Sequence, residues 1–302
     1  MASVVTEHLD RWPRARSLLT TDAIEGRRAL HLVGAHTYAT SVTPRSATPT
    51  APAIRDALER YSTYAIADDL DLATALSIVD HGDIDDADAT GGEELSALLS
   101  VQRSSTWLLL GGDNALTWRA LSALAGEDLA NWGLITFDAH LDMRDGVSNG
   151  SPVRQLLERG LRGEHVVQVG LNDFSNSAHY ANQARAAGST LISRRAVAER
   201  GIAAVVADAL AVAGAGGRPV YVDIDVDVCD RAVVPGCPAA APGGLSADEL
   251  RQAARLVSLD PRVKALDLTE IDVSRDSADE RTIRLAALLV LEIAAGVARR
   301  PL

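Results

Sequence analysis

The sequence predicts an α/β protein, a three-layer αβα sandwich on a mostly parallel sheet of about eight strands. Two observations carry this expectation. Short apolar runs of strand character alternate with amphipathic helical patterns along the chain, so the strands are joined by crossovers and run parallel, with helices on both faces. The 302 residues, 47% of them hydrophobic, suffice for one large core, and no internal repeat or low-complexity linker divides them. A single domain over residues 1–302 is expected.

Taken in order, ALHLVG (29–34) is the first strand, a continuous apolar run short enough to be extended. The Pro-rich stretch SVTPRSATPTAP (41–52) reads as a loop leading into the helix PAIRDALERYS. LSIVD (76–80), the helix GGEELSALLSVQ and TWLLLGG (106–112) follow, then GLITFD (133–138), whose apolar run turns acidic where a buried strand should end. SPVRQLLERG is helical, HVVQVG (165–170) a strand, AHYANQARAAG helical and TLIS (190–193) a short strand. VYVDID (220–225) repeats the turn from apolar to acidic. PGGLS is a turn with Ser246 as N-cap of the helix ADELRQAARLV, and Glu249 completes a capping box. VKALDLTE (263–270) is the eighth strand, and a long helix from about Glu280 to Arg299 closes the chain.

A net charge of -12 argues against nucleic acid or a membrane surface as partner. The start MASVVTEHLDRW lacks the apolar segment of a secretory signal, and no run approaches a membrane span. Cys229 and Cys237 form no CxxC, and a cytoplasmic protein with reduced thiols fits best. A small-molecule substrate is the expected partner, and a homo-oligomer is compatible with the pattern.

The chemistry concentrates in FDAHLD and YVDIDVD. In an open α/β sheet, ligands gather at the carboxyl ends of the strands, so both acidic ends can face one crevice. Residues i and i+2 of an extended segment point the same way, which aims Asp138, His140 and Asp142 at one site; Asp223, Asp225 and Asp227 alternate likewise. Carboxylates crowded into a dry crevice repel one another unless divalent cations neutralise them. An oxygen-rich set with one imidazole suits manganese or another first-row ion better than structural zinc. Two such ions would also generate a hydrolytic nucleophile at neutral pH.

GGDN (Gly111 to Asn114), DAHLD, DIDVD and TEID follow successive strand ends in the order and wording of the arginase/agmatinase ureohydrolase family, which the chain resembles over roughly residues 27–297. The resemblance implies a binuclear manganese cluster with Asn114, Asp138, Asp142 and Asp225 on one ion and Asp138, His140, Asp225 and Asp227 on the other. It implies two Mn²⁺ as cofactors, Asp142 as the group that passes a proton to the departing nitrogen, and Glu270 as the partner of a cationic amidine. Asp223 falls at the family's serine position. Asn114 replaces a histidine, so the ion on its side should bind more weakly, and Asn149 replaces a histidine that could titrate. Those two replacements, with GLNDFSNS around Asn176, resemble the formimidoylglutamase branch. That branch implies hydrolysis of N-formimidoyl-L-glutamate to L-glutamate and formamide, in histidine degradation. Asn149, Arg154 and Asn176 are then the expected substrate contacts. Arg154 stands first for a substrate carboxylate, ahead of Arg144, Arg231 and Arg275, because it opens a helix. An agmatinase- or guanidinobutyrase-type activity releasing urea would keep the cluster and change the pocket, and a silent metal-binding member would keep neither substrate nor turnover.

Overall fold

The computed structural model describes residues 11–84, 87–88, 91–101 and 105–301. Its strands are β1 (Leu19–Thr20), β2 (Arg28–Ala35), β3 (Tyr64–Ala65), β4 (Leu70–Asp71), β5 (Leu76–Ile84), β6 (Thr106–Gly111), β7 (Gly133–Phe137), β8 (Val166–Leu171), β9 (Thr190–Ser193), β10 (Val220–Asp225) and β11 (Val263–Thr269). The helices are α1 (Thr50–Ala57), α2 (Leu72–Ala75), α3 (Gly91–Val101), α4 (Ala115–Ala125), α5 (Pro152–Glu158), α6 (Ala178–Ala186), α7 (Arg194–Arg200), α8 (Ile202–Ala213), α9 (Ala247–Leu259) and α10 (Arg281–Ala298).

Nine strands form one sheet in the order β1-β5-β2-β6-β11-β10-β7-β8-β9, every pairing in it parallel. The expected strands are β2 and β5 to β11. The ninth, β1, is a two-residue edge strand, too short to carry any periodicity, and β3 with β4 makes a separate antiparallel hairpin. No helix among the described residues is long and apolar enough to cross a membrane.

Central strands are buried on both faces, so their side chains sort by parity into two cores. Val220, Val222 and Ile224 of β10, with Leu266 and Leu268 of β11, pack among residues of α1, α8, α9 and α10. Tyr221 and Ala265 face the opposite core, with Leu95 and Leu99 of α3, residues of α4, and Val153 of α5. By that alternation Asp223 and Asp225 lie on the Tyr221 side, and Asp267 and Thr269 on the Ala265 side. The second core therefore turns polar toward the carboxyl ends of the strands.

Chain order and sheet order differ where it matters. The late strands β10 and β11 insert between β6 and β7, with Ile224 opposite Phe137 and Asp225 opposite Thr269. Three acidic strand ends distant in sequence thereby reach the same level of the same rim.

Candidate metal centre

Asp138 follows β7, Asp225 ends β10, Glu270 follows β11, and Asn114 precedes α4 just beyond β6. Each local bend satisfies its own backbone. The Asp138 carboxylate accepts from the His140 N–H at 2.6 Å and that of Asp225 from the Asp227 N–H at 2.8 Å, Asx turns that swing the following ligands inward. Asp142 (φ 51°) and Glu270 (φ 65°) occupy the left-handed region, where non-glycine residues pay a conformational penalty. Backbone strain thus sits on the two residues expected to handle protons and charge.

His140 Nδ1 lies 2.8 Å from Asp227 Oδ2 and 3.5 Å from Asp138 Oδ1. One donor atom from each of Asp138, His140 and Asp227 falls within 4.8 Å of the others. Asp138 Oδ2 is buried without any hydrogen-bond partner. Burial, then the neighbouring carboxylates, pushes Asp138 and Asp225 well above the ordinary carboxylate range, and Asp142 is raised to about 7, chiefly by burial. Burial works against the His140 imidazolium, yet the charge and hydrogen bond of Asp227 lift it to about 9. So many carboxylates cannot stay ionised together in a dry cleft unless a cation joins them, and the donor set of carboxylate oxygens with one imidazole fits hard or borderline divalent ions.

A cavity of ≈ 280 Å³ opens over this floor. His140, Asp142, Asp225, Asp227 and Glu270 line its base, while Val42, Thr43, Arg144, Asn149, Asn176 and Tyr180 contribute to its walls. Glu270 is held on both oxygens. Oε1 accepts from the Asn114 backbone N–H at 2.9 Å and from Asn149 Nδ2 at 2.8 Å, and Oε2 pairs with Arg45 at 3.0 Å. Asn149 also accepts from the Val42 N–H at 2.8 Å, tying two wall loops together. Asn176 braces the ligand loop, accepting from the Leu141 N–H at 2.8 Å and donating to the Ala139 carbonyl at 2.9 Å.

The structure brings together Asn114, Asp138, His140, Asp142, Asp225, Asp227, Glu270, Asn149 and Asn176. Arg154 stands apart from the cavity wall. Its guanidinium donates to the carbonyls of Arg144 and Gly146 and pairs with Glu158, leaving its N–H groups engaged within the protein. Of the other arginines, Arg231 donates to the Cys237 and Pro238 carbonyls, and Arg275 to the Pro44 carbonyl and Asp272. Arg144 is exposed, lines the cavity, and its guanidinium has no hydrogen bond or ion pair among the described residues. Asp230, last of the spaced aspartates, caps the N–H groups of Ala232 and Gly243 and shapes the adjoining loops. Both cysteines are buried and free.

Arg45 is the functional neighbour that sequence reasoning missed, since a single arginine in a Pro-rich loop carries no spacing signal. A buried polar set behind Asn114 was equally invisible. Asp267 accepts from the Tyr221 hydroxyl at 2.7 Å and lies 2.9 Å from the Thr117 hydroxyl, and Asp223 lies beside it on the neighbouring strand. Burial, then Asp267, raises Asp223 well above the carboxylate range, and Asp267 is raised to about 6, first by burial.

A parallel αβα sheet that gathers carboxylates and one imidazole at its carboxyl strand ends has the architecture of an enzyme with a divalent-metal centre. Residues 28–296 match the model of the arginase family, and the chain belongs to that family. It is 36% identical to a formimidoylglutamase of Halalkalibacterium halodurans over 88% of this chain and 86% of that protein. The crystal structure of formimidoylglutamase from Bacillus subtilis superposes with a TM-score of 0.88 at 29% identity, covering 100% of this chain and 97% of the other. A structure of Trypanosoma cruzi formiminoglutamase with Mn²⁺ gives 0.82 at 26% identity, over 96% of this chain and 100% of that one.

Proposed function

We propose that this chain hydrolyses N-formimidoyl-L-glutamate to L-glutamate and formamide, with two manganese ions held by Asp138, His140, Asp142, Asp225, Asp227 and Asn114, and that it serves histidine breakdown. The observation that carries the substrate choice is Arg144, whose guanidinium has no partner among the described residues and stands on the wall of a cavity with an acidic base. A dicarboxylate substrate offers such a cation a matching fork, whereas agmatine brings no carboxylate at all.

When bound, the ions supply Lewis-acid polarisation and a water-derived nucleophile at neutral pH. The protein's own residues do the rest. Glu270, fixed from behind by Arg45 and from the sides by Asn149 and the Asn114 N–H, takes the cationic formimino group and orients it. Water adds across the formimino carbon, the bond to the glutamate nitrogen breaks, and Asp142 passes a proton to that departing nitrogen. Arg144 grips a substrate carboxylate, and Arg154 acts through the loop it holds, which carries Arg144 and Asn149 to the cavity. Asn176 keeps the His140 loop in register against the substrate. The ion beside Asn114 is the weaker of the two, because an amide oxygen is a poorer donor than imidazole.

The test is product identification. The Mn²⁺-loaded protein is offered N-formimidoyl-L-glutamate, arginine, agmatine and guanidinobutyrate, with glutamate, formamide and urea measured separately. Glutamate with formamide is the expected result. Urea from a guanidine would overturn the pocket assignment and leave the metal centre standing.

A further inference from the structure

The side chain of Asn114 is fully buried and its amide is oriented with the nitrogen toward the cluster. Nδ2 donates to Asp142 Oδ2 at 2.6 Å and approaches Asp223 Oδ2 at 3.4 Å. Oδ1 points the other way, accepting from the Thr117 hydroxyl at 2.7 Å and the Thr269 hydroxyl at 3.0 Å. An N–H₂ group cannot ligate a cation.

The two threonines can also serve the opposite orientation. Thr117 Oγ1 also lies 2.9 Å from Asp267 Oδ2, and Thr269 Oγ1 lies 3.5 Å from Asp223 Oδ1. Each hydroxyl has one proton and two lone pairs, so it cannot donate to Asn114 and to an ionised aspartate together. A half-turn of the amide resolves this conflict. Nδ2 then donates to both hydroxyls, and each hydroxyl is free to donate to its aspartate. The cost of that orientation is Oδ1 facing Asp142 Oδ2 and Asp223 Oδ2, oxygens that repel once ionised unless a cation lies against them.

We propose that Thr117 and Thr269 are positioning residues for the ion beside Asn114. They act as donors to Oδ1 in one amide orientation and as acceptors from Nδ2 in the other, and a bound cation selects the orientation that presents oxygen. Tyr221, donating to Asp267 at 2.7 Å, holds the acceptor to which Thr117 turns. Such outer hydrogen bonds fix ligand orientation at metal sites, and losing one weakens metal affinity by about 10–100-fold. The inference rests on the manganese reading above, and its test separates the two.

Mn²⁺ is titrated into wild type, T117V, T117S, T269V and T269S, with bound ions counted by electron paramagnetic resonance and affinities measured by calorimetry. Wild type is expected to bind two ions per chain. Each valine variant should hold one ion at wild-type affinity and the other about 10–100-fold more weakly, while each serine variant, which keeps the hydroxyl, binds as wild type. Thermal melts in chelator check the fold, and T269V reads the same relay should T117V fail to fold. Valine variants that bind both ions as wild type does, or that lose both in parallel, would overturn the proposal. Wild type binding no Mn²⁺ would overturn it together with the manganese reading.

Discussion

Asp142 and Glu270 carry the same functional group in different surroundings, and the roles proposed for them divide accordingly. Glu270 meets a guanidinium and two N–H donors, which favour its ionised form against the burial that raises it. Asp142 is raised to about 7, within reach of both protonation states. Glu270→Gln should therefore lower kcat/KM by about 100-fold or more while bound manganese stays at the wild-type level; metal analysis showing loss of ions would contradict the orienting role. Arg144→Ala should raise KM for N-formimidoyl-L-glutamate by roughly 10–100-fold, the range of one charge-assisted hydrogen bond, with kcat little changed. Steady-state kinetics decide this, and an unchanged KM would send the carboxylate elsewhere. At this scale the sequence was legible where spacing itself is geometry. Aspartates two apart were expected to converge along an extended segment; they meet instead through bends beyond the strand ends, Asp142 being left-handed and Asp227 lying in a tight turn after β10. Arg45 and Thr117 stayed hidden because their partners Glu270 and Asp267 are 225 and 150 residues away. Arg154 shows a different limit, since a helix start identifies where an arginine stands but not which carbonyls it already serves.

Among the elements, those with the strongest internal logic were the readable ones. Buried parallel strands appear as continuous apolar runs, and all eight such runs became strands of the sheet. The helix α9 announced itself through its cap. Ser246 Oγ accepts from the Glu249 N–H at 3.1 Å, and the Glu249 carboxylate accepts from the Ser246 N–H at 2.8 Å. Ser246→Ala should cost about 1 kcal/mol, seen as a melting temperature lower by a few degrees with kcat/KM unchanged. An altered KM would mean that this helix start also positions the cavity wall. By contrast β1 and the β3–β4 hairpin, two residues per strand, draw their conformation from neighbours rather than from their own pattern.

For the whole molecule, the proposed metal centre predicts that stability is coupled to bound ions. Without metal, Asp142 at about 7 and His140 at about 9 hold protons more tightly than their ordinary values of 3.8 and 6.5. A group raised in the folded state stabilises fully below its unfolded pKa and loses that contribution as pH climbs through the folded value. The Asp142 contribution is thus lost from 3.8 to about 7 and that of His140 from 6.5 to about 9. Thermal melts in chelator should fall between about pH 4 and about pH 9, and excess Mn²⁺ should remove most of that fall by taking the place of the protons. A melting temperature that rises with pH in chelator would contradict the crowding of carboxylates at the strand ends. The sheet has a further consequence at this scale. Among the described residues it ends on β1 with two residues and on β9 with four, short margins that give a strand from another molecule little to pair with. Strand addition from another copy is thereby disfavoured at both margins.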